Sequence, residues 1–267
     1  MGALQGLVDL AEALRPWIGA GPGAVIAALA IFIRVGAVVA LMPGFGEQTL
    51  PLRLRLAASV ALTLIVAPLV WPAQLPATGF LDTTGLFLAE AGAGLALGLS
   101  LRFMIMVLQL AGSIAAQSTS VAQIFGAGLT PDPMPAIGNL LVIGGVALAL
   151  ATGMHVKAAA MIALSYDILP MGHAPSGPDL ARWGVAHGAR AFGLAVALAG
   201  PFVLISLLYN IALGAINRAM PQLMVAFIGA PFITGAALVL LGLAAPVMLT
   251  VWLDVLDARL AAPLSLP

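Results

Sequence analysis

The sequence predicts an all-α, polytopic membrane protein whose helices are broken by Pro and Gly. Three observations carry that reading. Of 267 residues, 62% are hydrophobic and only 7% charged, against roughly a quarter charged in soluble domains. No single soluble core could hide so much apolar side chain. The apolar runs are continuous rather than alternating, which favours spanning helices over a barrel. Residues 1–267 read as one integral-membrane domain.

Residues 1–22 carry Asp9, Glu12 and Arg15, so a signal peptide is not expected there. Leu4, Leu7, Val8, Ala11 and Leu14 share a helical face, which predicts an amphipathic interfacial helix anchored by Trp17. The first span covers about Gly23 to Met42, with Arg34 inside it. A cation there is costly against lipid and calls for a partner. Pro43-Gly44-Phe45-Gly46 ends the span, and Arg53 and Arg55 open a second one reaching Trp71. A turn-rich loop follows to Gly85. The third span, Leu86 to about Ala111, holds Glu90 and Arg102, which lie about 18 Å apart along a helix and cannot pair with each other. Gly94 and Gly98 in the same span form a face that lets another helix approach closely.

Two short apolar pieces come next, Ala136–Ala151 and Val156–Leu169, as a hairpin or one bent helix. Residues 171–190, with Pro175, Gly177 and Pro178, read as a long solvated connection. A span from Ala191 to Ile216 is expected to be interrupted at Gly200-Pro201. The last span runs from Leu223 to Trp252, with Asp254, Asp257 and Arg259 ending it in water. Arg34, Glu90, Arg102, Lys157 and Asp167 lie in or beside apolar segments, and their need for partners predicts obligate co-assembly.

The central stretch, residues 109–135, is the organising feature. Arg102, Gln109, Ser113, Gln117 and Ser120 share a helical face. The following Phe125-Gly126-Ala127-Gly128-Leu129-Thr130-Pro131-Asp132-Pro133-Met134-Pro135 cannot be regular helix. Two readings stand: helix packing through Ser and Gln hydrogen bonds, or a pore wall. In the second, uncharged Gln117, Ser120 and Gln123 line a passage, and Phe125 and Leu129 close it on glycine hinges at Gly126 and Gly128.

Zero formal net charge argues against nucleic acid as a partner. There is no Cys, and His155, His173 and His187 lie at no zinc-ligand spacing. Metalloprotease, serine-hydrolase and phosphate-loop motifs are absent. No enzyme, catalytic residue, metal or cofactor is therefore expected. A small-solute secondary transporter is the rival, since intramembrane charges and broken helices are its marks.

Asn210, Gly214, Asn217-Arg218-Ala219-Met220-Pro221-Gln222-Leu223, Phe227-Ile228-Gly229 and Pro231 resemble the signature of the FliR family of export-gate R/T subunits. Arg34-Val35, Pro43-Gly44-Phe45-Gly46, Leu50 to Leu56, Ala67-Pro68 and Gly112 to Gln117 are similar to it as well. Gln117-Ser118-Thr119 and Met224 depart from the pattern. The resemblance implies a single-copy subunit of the flagellar type III export gate, with an injectisome counterpart. It implies partners P and Q (FliP, FliQ), the export-switch protein FlhB and FlhA, membrane lipid, and unfolded protein substrates. It further implies the inner membrane and flagellar basal body as location. Arg34, Glu90, Arg102, Arg218, Pro221 and Gln222 are the expected assembly or structural residues. Arg218 is expected to cap carbonyls of the preceding helix or to pair with an acid.

Overall fold

A computed structural model describes residues 21–47, 50–74, 76, 78–119, 136–220 and 225–263, with backbone alone for 225–231. The expected amphipathic helix over residues 1–22 falls outside this set but for its last two residues. The described residues form seven helices: α1 Pro22–Leu41, α2 Leu52–Val70, α3 Phe80–Ser118, α4 Ala136–Ala151, α5 Met154–Ile168, α6 Gly177–Ala219 and α7 Val225–Ala261. Among them, five are long and apolar enough to cross a membrane, or six spans if α4 and α5 count as one broken span.

Several boundaries differ from the sequence reading. Helix α3 starts at Phe80, inside the expected loop, because Asp82 in its first turn complements the positive end of the helix dipole. The expected connection over 171–190 is helical from Gly177 onward. Ser176 accepts from the Asp179 N–H at 3.3 Å, and Pro178 occupies the first turn, where its missing N–H costs nothing. Arg182 pairs with Asp179 at 2.6 Å on this exposed turn. Gly200-Pro201 does not interrupt α6, which runs through Pro201 to Ala219. One lost backbone bond is less costly than a broken helix that exposes several polar groups to an apolar medium. Helix α7 likewise continues past Trp252 to Ala261, with Arg259 favourably placed in its last turn.

The chain divides into two compact units, Met1–Arg102 with Gly153–Gly184 and Ala258–Pro267, and Phe103–Thr152 with Val185–Asp257. In the first, α2 packs against α1 and α5. The small face of α3 meets α1 backbone to backbone. A Cβ on Gly94 would sit 2.5 Å from the Arg34 carbonyl oxygen, and one on Gly98 would sit 2.9 Å from Leu41 Cβ. In the second unit α3 and α4 meet glycine on glycine. A Cβ on Gly112 of α3 would lie 2.2 Å from Gly138 Cα of α4. Trp252 of α7 is fully buried, donates from Nε1 to the Met104 carbonyl at 2.7 Å, and lies over Gly145.

The break between α4 and α5 rests on Gly153, whose φ of +79° lies in the left-handed region. A Cβ there would meet nothing within 4 Å, so only the backbone resists substitution. Gly153→Ala is therefore expected to cost about 1–2 kcal/mol, whereas Gly153→Asn should cost less. Thermal midpoints of the purified protein in detergent would check this ordering.

Candidate functional site

Arg34 lies a little past the middle of α1 and is completely buried. Close packing of α1 on Gly94 brings it beside Glu90, also fully buried, one helical turn earlier on α3. The guanidinium donates from Nε to Glu90 Oε2 at 2.8 Å and from Nη2 to Oε1 at 3.0 Å, the bidentate geometry that suits arginine. Its other contacts reach the end of α5: Ser165 Oγ at 3.2 Å and the Leu169 carbonyl at 3.0 Å from both Nη atoms. Glu90 in turn accepts from Tyr166 Oη at 3.1 Å and from the Gly172 N–H at 2.9 Å. The Tyr166 ring stacks 3.7 Å from the guanidinium carbon. One ion pair thus ties α1, α3, the C-terminal end of α5 and the turn beyond it. Every strong acceptor site is used, the condition under which a buried pair is tolerated.

Arg102 pairs with Glu47 at 2.9 Å, both about 30% exposed (30% and 28%). Arg55 donates to the Glu47 backbone carbonyl, so two arginines converge on the connector behind Gly46. Arg34, Glu90 and Arg102 therefore find their partners within the chain, and they do not by themselves require another subunit. Sequence reasoning missed Glu47, Ser165, Tyr166, the Leu169 carbonyl and the Gly172 amide. The opposite signs of Arg34 and Glu90 were the available clue, and nothing in their spacing joined them.

On the polar face of α3, Gln109 and Ser113 are half-buried and Gln117 is exposed. The Ser113 hydroxyl donates to the Gln109 carbonyl of its own helix at 2.8 Å, so it does not serve as glue to a neighbour. Ser120, Gln123, Phe125, Gly126, Gly128 and Leu129 lie outside the described residues, as do Pro221 and Gln222. Arg218 occupies the exposed last turn of α6, where a cation complements the helix dipole. Among the described residues, no three His, Asp or Glu side chains are grouped to hold a metal ion.

The model of the family described as "Bacterial export proteins, family 1" matches residues 25–258. The chain belongs to this family. Curated relatives show the same affinity. The flagellar biosynthetic protein FliR of Caulobacter vibrioides is 35% identical over 233 residues, covering 86% of this chain and 92% of that protein. FliR of Pectobacterium carotovorum is 28% identical over 228 residues, covering 81% and 83%. FliR of Escherichia coli is 25% identical over 202 residues, covering 74% and 76%. This bacterial export protein is a helical membrane protein and a subunit of a flagellar export apparatus.

Proposed function

We propose that the chain is a structural, pore-forming subunit of the flagellar type III export gate in the bacterial inner membrane, within the basal body. The observation that carries this reading is the similarity to FliR of Caulobacter vibrioides over 92% of that protein's length. In this role it does no chemistry. It assembles as one integral domain with FliP and FliQ, works beside FlhB and FlhA, and passes unfolded protein substrates.

Exposed apolar faces support an assembled or lipid-covered state. Leu204, Leu207, Leu208 and Ile211 on α6 are between 54% and 67% exposed, and Leu52, Leu64 and Leu69 on α2 between 52% and 79%. Patches this apolar need lipid or another protein against them. Because the buried charges are satisfied in cis, co-assembly is driven by these faces and not by missing counter-ions. Arg218 in the last turn of α6, together with Pro221 and Gln222 outside the described residues, belongs to the assembly surface in this reading.

In the pore reading, Gln109, Ser113 and Gln117 lead along α3 toward Ser120 and Gln123, and uncharged polar groups suit cargo of either sign. Phe125 and Leu129 supply apolar closure, with Gly126 and Gly128 as hinges. The test is co-expression with P and Q, followed by planar-bilayer conductance of the purified complex. Removal of Phe125 to Leu129 should leave one discrete complex but raise its resting ion conductance. A shortened chain that fails to assemble, or that assembles with unchanged conductance, would make the stretch a packing element.

A further inference from the structure

The last turn of α3 has an unusual partner. A helix end leaves carbonyls without intrahelical donors, and these need satisfaction from elsewhere. The Ala115 carbonyl is well supplied, accepting from the Thr119 N–H at 3.2 Å, Thr119 Oγ1 at 2.7 Å and Ser118 Oγ at 3.0 Å. The Ser118 carbonyl, on the final helical residue, accepts from the Ser206 hydroxyl of α6. Hydroxyls in apolar helices usually turn back onto their own helix. Ser59, Thr63 and Ser113 each do so, donating to the carbonyl four residues earlier. Ser206, buried at 7% exposure, turns away from its own helix instead.

Asn210 holds the acceptor side of this hydroxyl. One turn along α6, its Nδ2 donates to the Ser206 carbonyl at 2.9 Å and to Ser206 Oγ at 3.3 Å. One lone pair of the Ser206 hydroxyl is thus filled, while the bond to the Ser206 carbonyl is Asn210's own turn back onto α6. A serine hydroxyl has a single proton to give, and with its acceptor side engaged that proton is directed at Ser118. Six residues before Ser118, Gly112 presses on Gly138, so the same end of α3 is pinned from α4 as well.

We propose that Ser206, oriented by Asn210, is a C-terminal cap for α3 supplied by α6, and that it positions the point at which the chain leaves that helix. Ser206 and Asn210 are positioning residues: they act on export through the end of α3 and touch no cargo. That consequence for export rests on the export-gate reading, whereas the cap itself does not.

The experiment uses the full chain assembled in its complex, with hydrogen exchange read on peptides covering residues 115–119. Ser206→Ala should speed exchange there about three- to tenfold, the range for losing one hydrogen bond at a helix end. Asn210→Ala should act in the same direction but less, and should add nothing in the Ser206→Ala background. Ser206→Thr, which keeps the hydroxyl, should restore slow exchange. Swimming-halo diameter should fall to about half or less in Ser206→Ala while the yield of complex stays unchanged, an effect expected of a displaced helix end near a passage. Unchanged exchange in Ser206→Ala, or additive effects of the two alanines, would overturn the cap. Faster exchange with normal swimming would overturn its part in export. A strain lacking the whole chain that still swims would instead sink the export reading and leave the exchange result to judge the cap.

Discussion

Glu90→Ala is expected to remove most of the folded protein from the membrane. The substitution leaves Arg34 completely buried with no carboxylate, and it strands the Tyr166 hydroxyl and the Gly172 amide as well. Breaking one side of a buried pair costs about 3–5 kcal/mol, which rivals the whole stability of many domains. Arg34→Lys should be nearly as damaging. A lysine presents a point charge, not the planar fork that reaches Glu90, Ser165 and the Leu169 carbonyl together. The double substitution Arg34→Leu with Glu90→Leu should recover part of the loss, because no uncompensated charge remains. Quantitative immunoblots of membranes at matched expression, with and without the partner subunits, would decide. Normal accumulation of Glu90→Ala in the absence of partners would show that the cluster contributes little.

Gly112→Val should prevent α3 and α4 from meeting, with loss of the assembled complex. Already at Cβ the side chain would stand 2.2 Å from Gly138 Cα and 2.5 Å from its nitrogen, and backbone atoms cannot swing aside as a side-chain tip can. Overpacking of this kind costs about 1–3 kcal/mol and sometimes more. Gly92→Ala provides the opposite result within α3. A Cβ at Gly92 meets nothing within 4 Å, so the change should be neutral or gain about 0.5–1 kcal/mol from reduced backbone freedom. Size-exclusion profiles of the two variants in detergent would separate them. Equal behaviour would mean that the glycine contact between α3 and α4 is not a constraint.

The helices that were plain in the sequence are those bounded by strong punctuation. Pro43-Gly44 ends α1, Pro72 follows α2, and Gly153 separates α4 from α5, each through a local backbone property that one residue carries. The structure departs from the sequence reading where a stretch rich in Pro, Gly and polar residues already begins a helix. Asp82 lies in the first turn of α3, and Asp179 and Arg182 lie in the first turns of α6. An acid in a first turn is stabilising, and Arg182 is accommodated by pairing with Asp179, so polarity alone does not distinguish a terminus from a connection. Pro201 misled for a related reason, since the helix-breaking rule assumes water to satisfy the freed carbonyl.

Of the site, Arg34 and Glu90 were conspicuous as charges in apolar runs, and Gly94 as a close-packing residue. What stayed hidden was that Gly94 is the reason Arg34 reaches Glu90. The partners are 56 residues apart, and Leu169 lies 135 residues from Arg34, distances over which helical periodicity says nothing. The serine stripe on α3 was legible as a face, but the destinations of its hydroxyls were not. Ser113 looks inward to its own helix, while Ser118 Oγ does likewise and leaves its carbonyl to Ser206.

That 56-residue separation also sets a schedule for biosynthesis. Arg34 leaves the ribosome ahead of Glu90 by an interval on the order of several seconds, at roughly 5–20 residues per second. Ser165 follows 131 residues after Arg34. Throughout that wait the nascent first span carries an unneutralised cation, which makes it a poor candidate for release into hydrocarbon. Insertion of α1 is thus expected to lag its own synthesis until α3 is made. The order in which the helices enter the bilayer is written in the distance between one arginine and its acid.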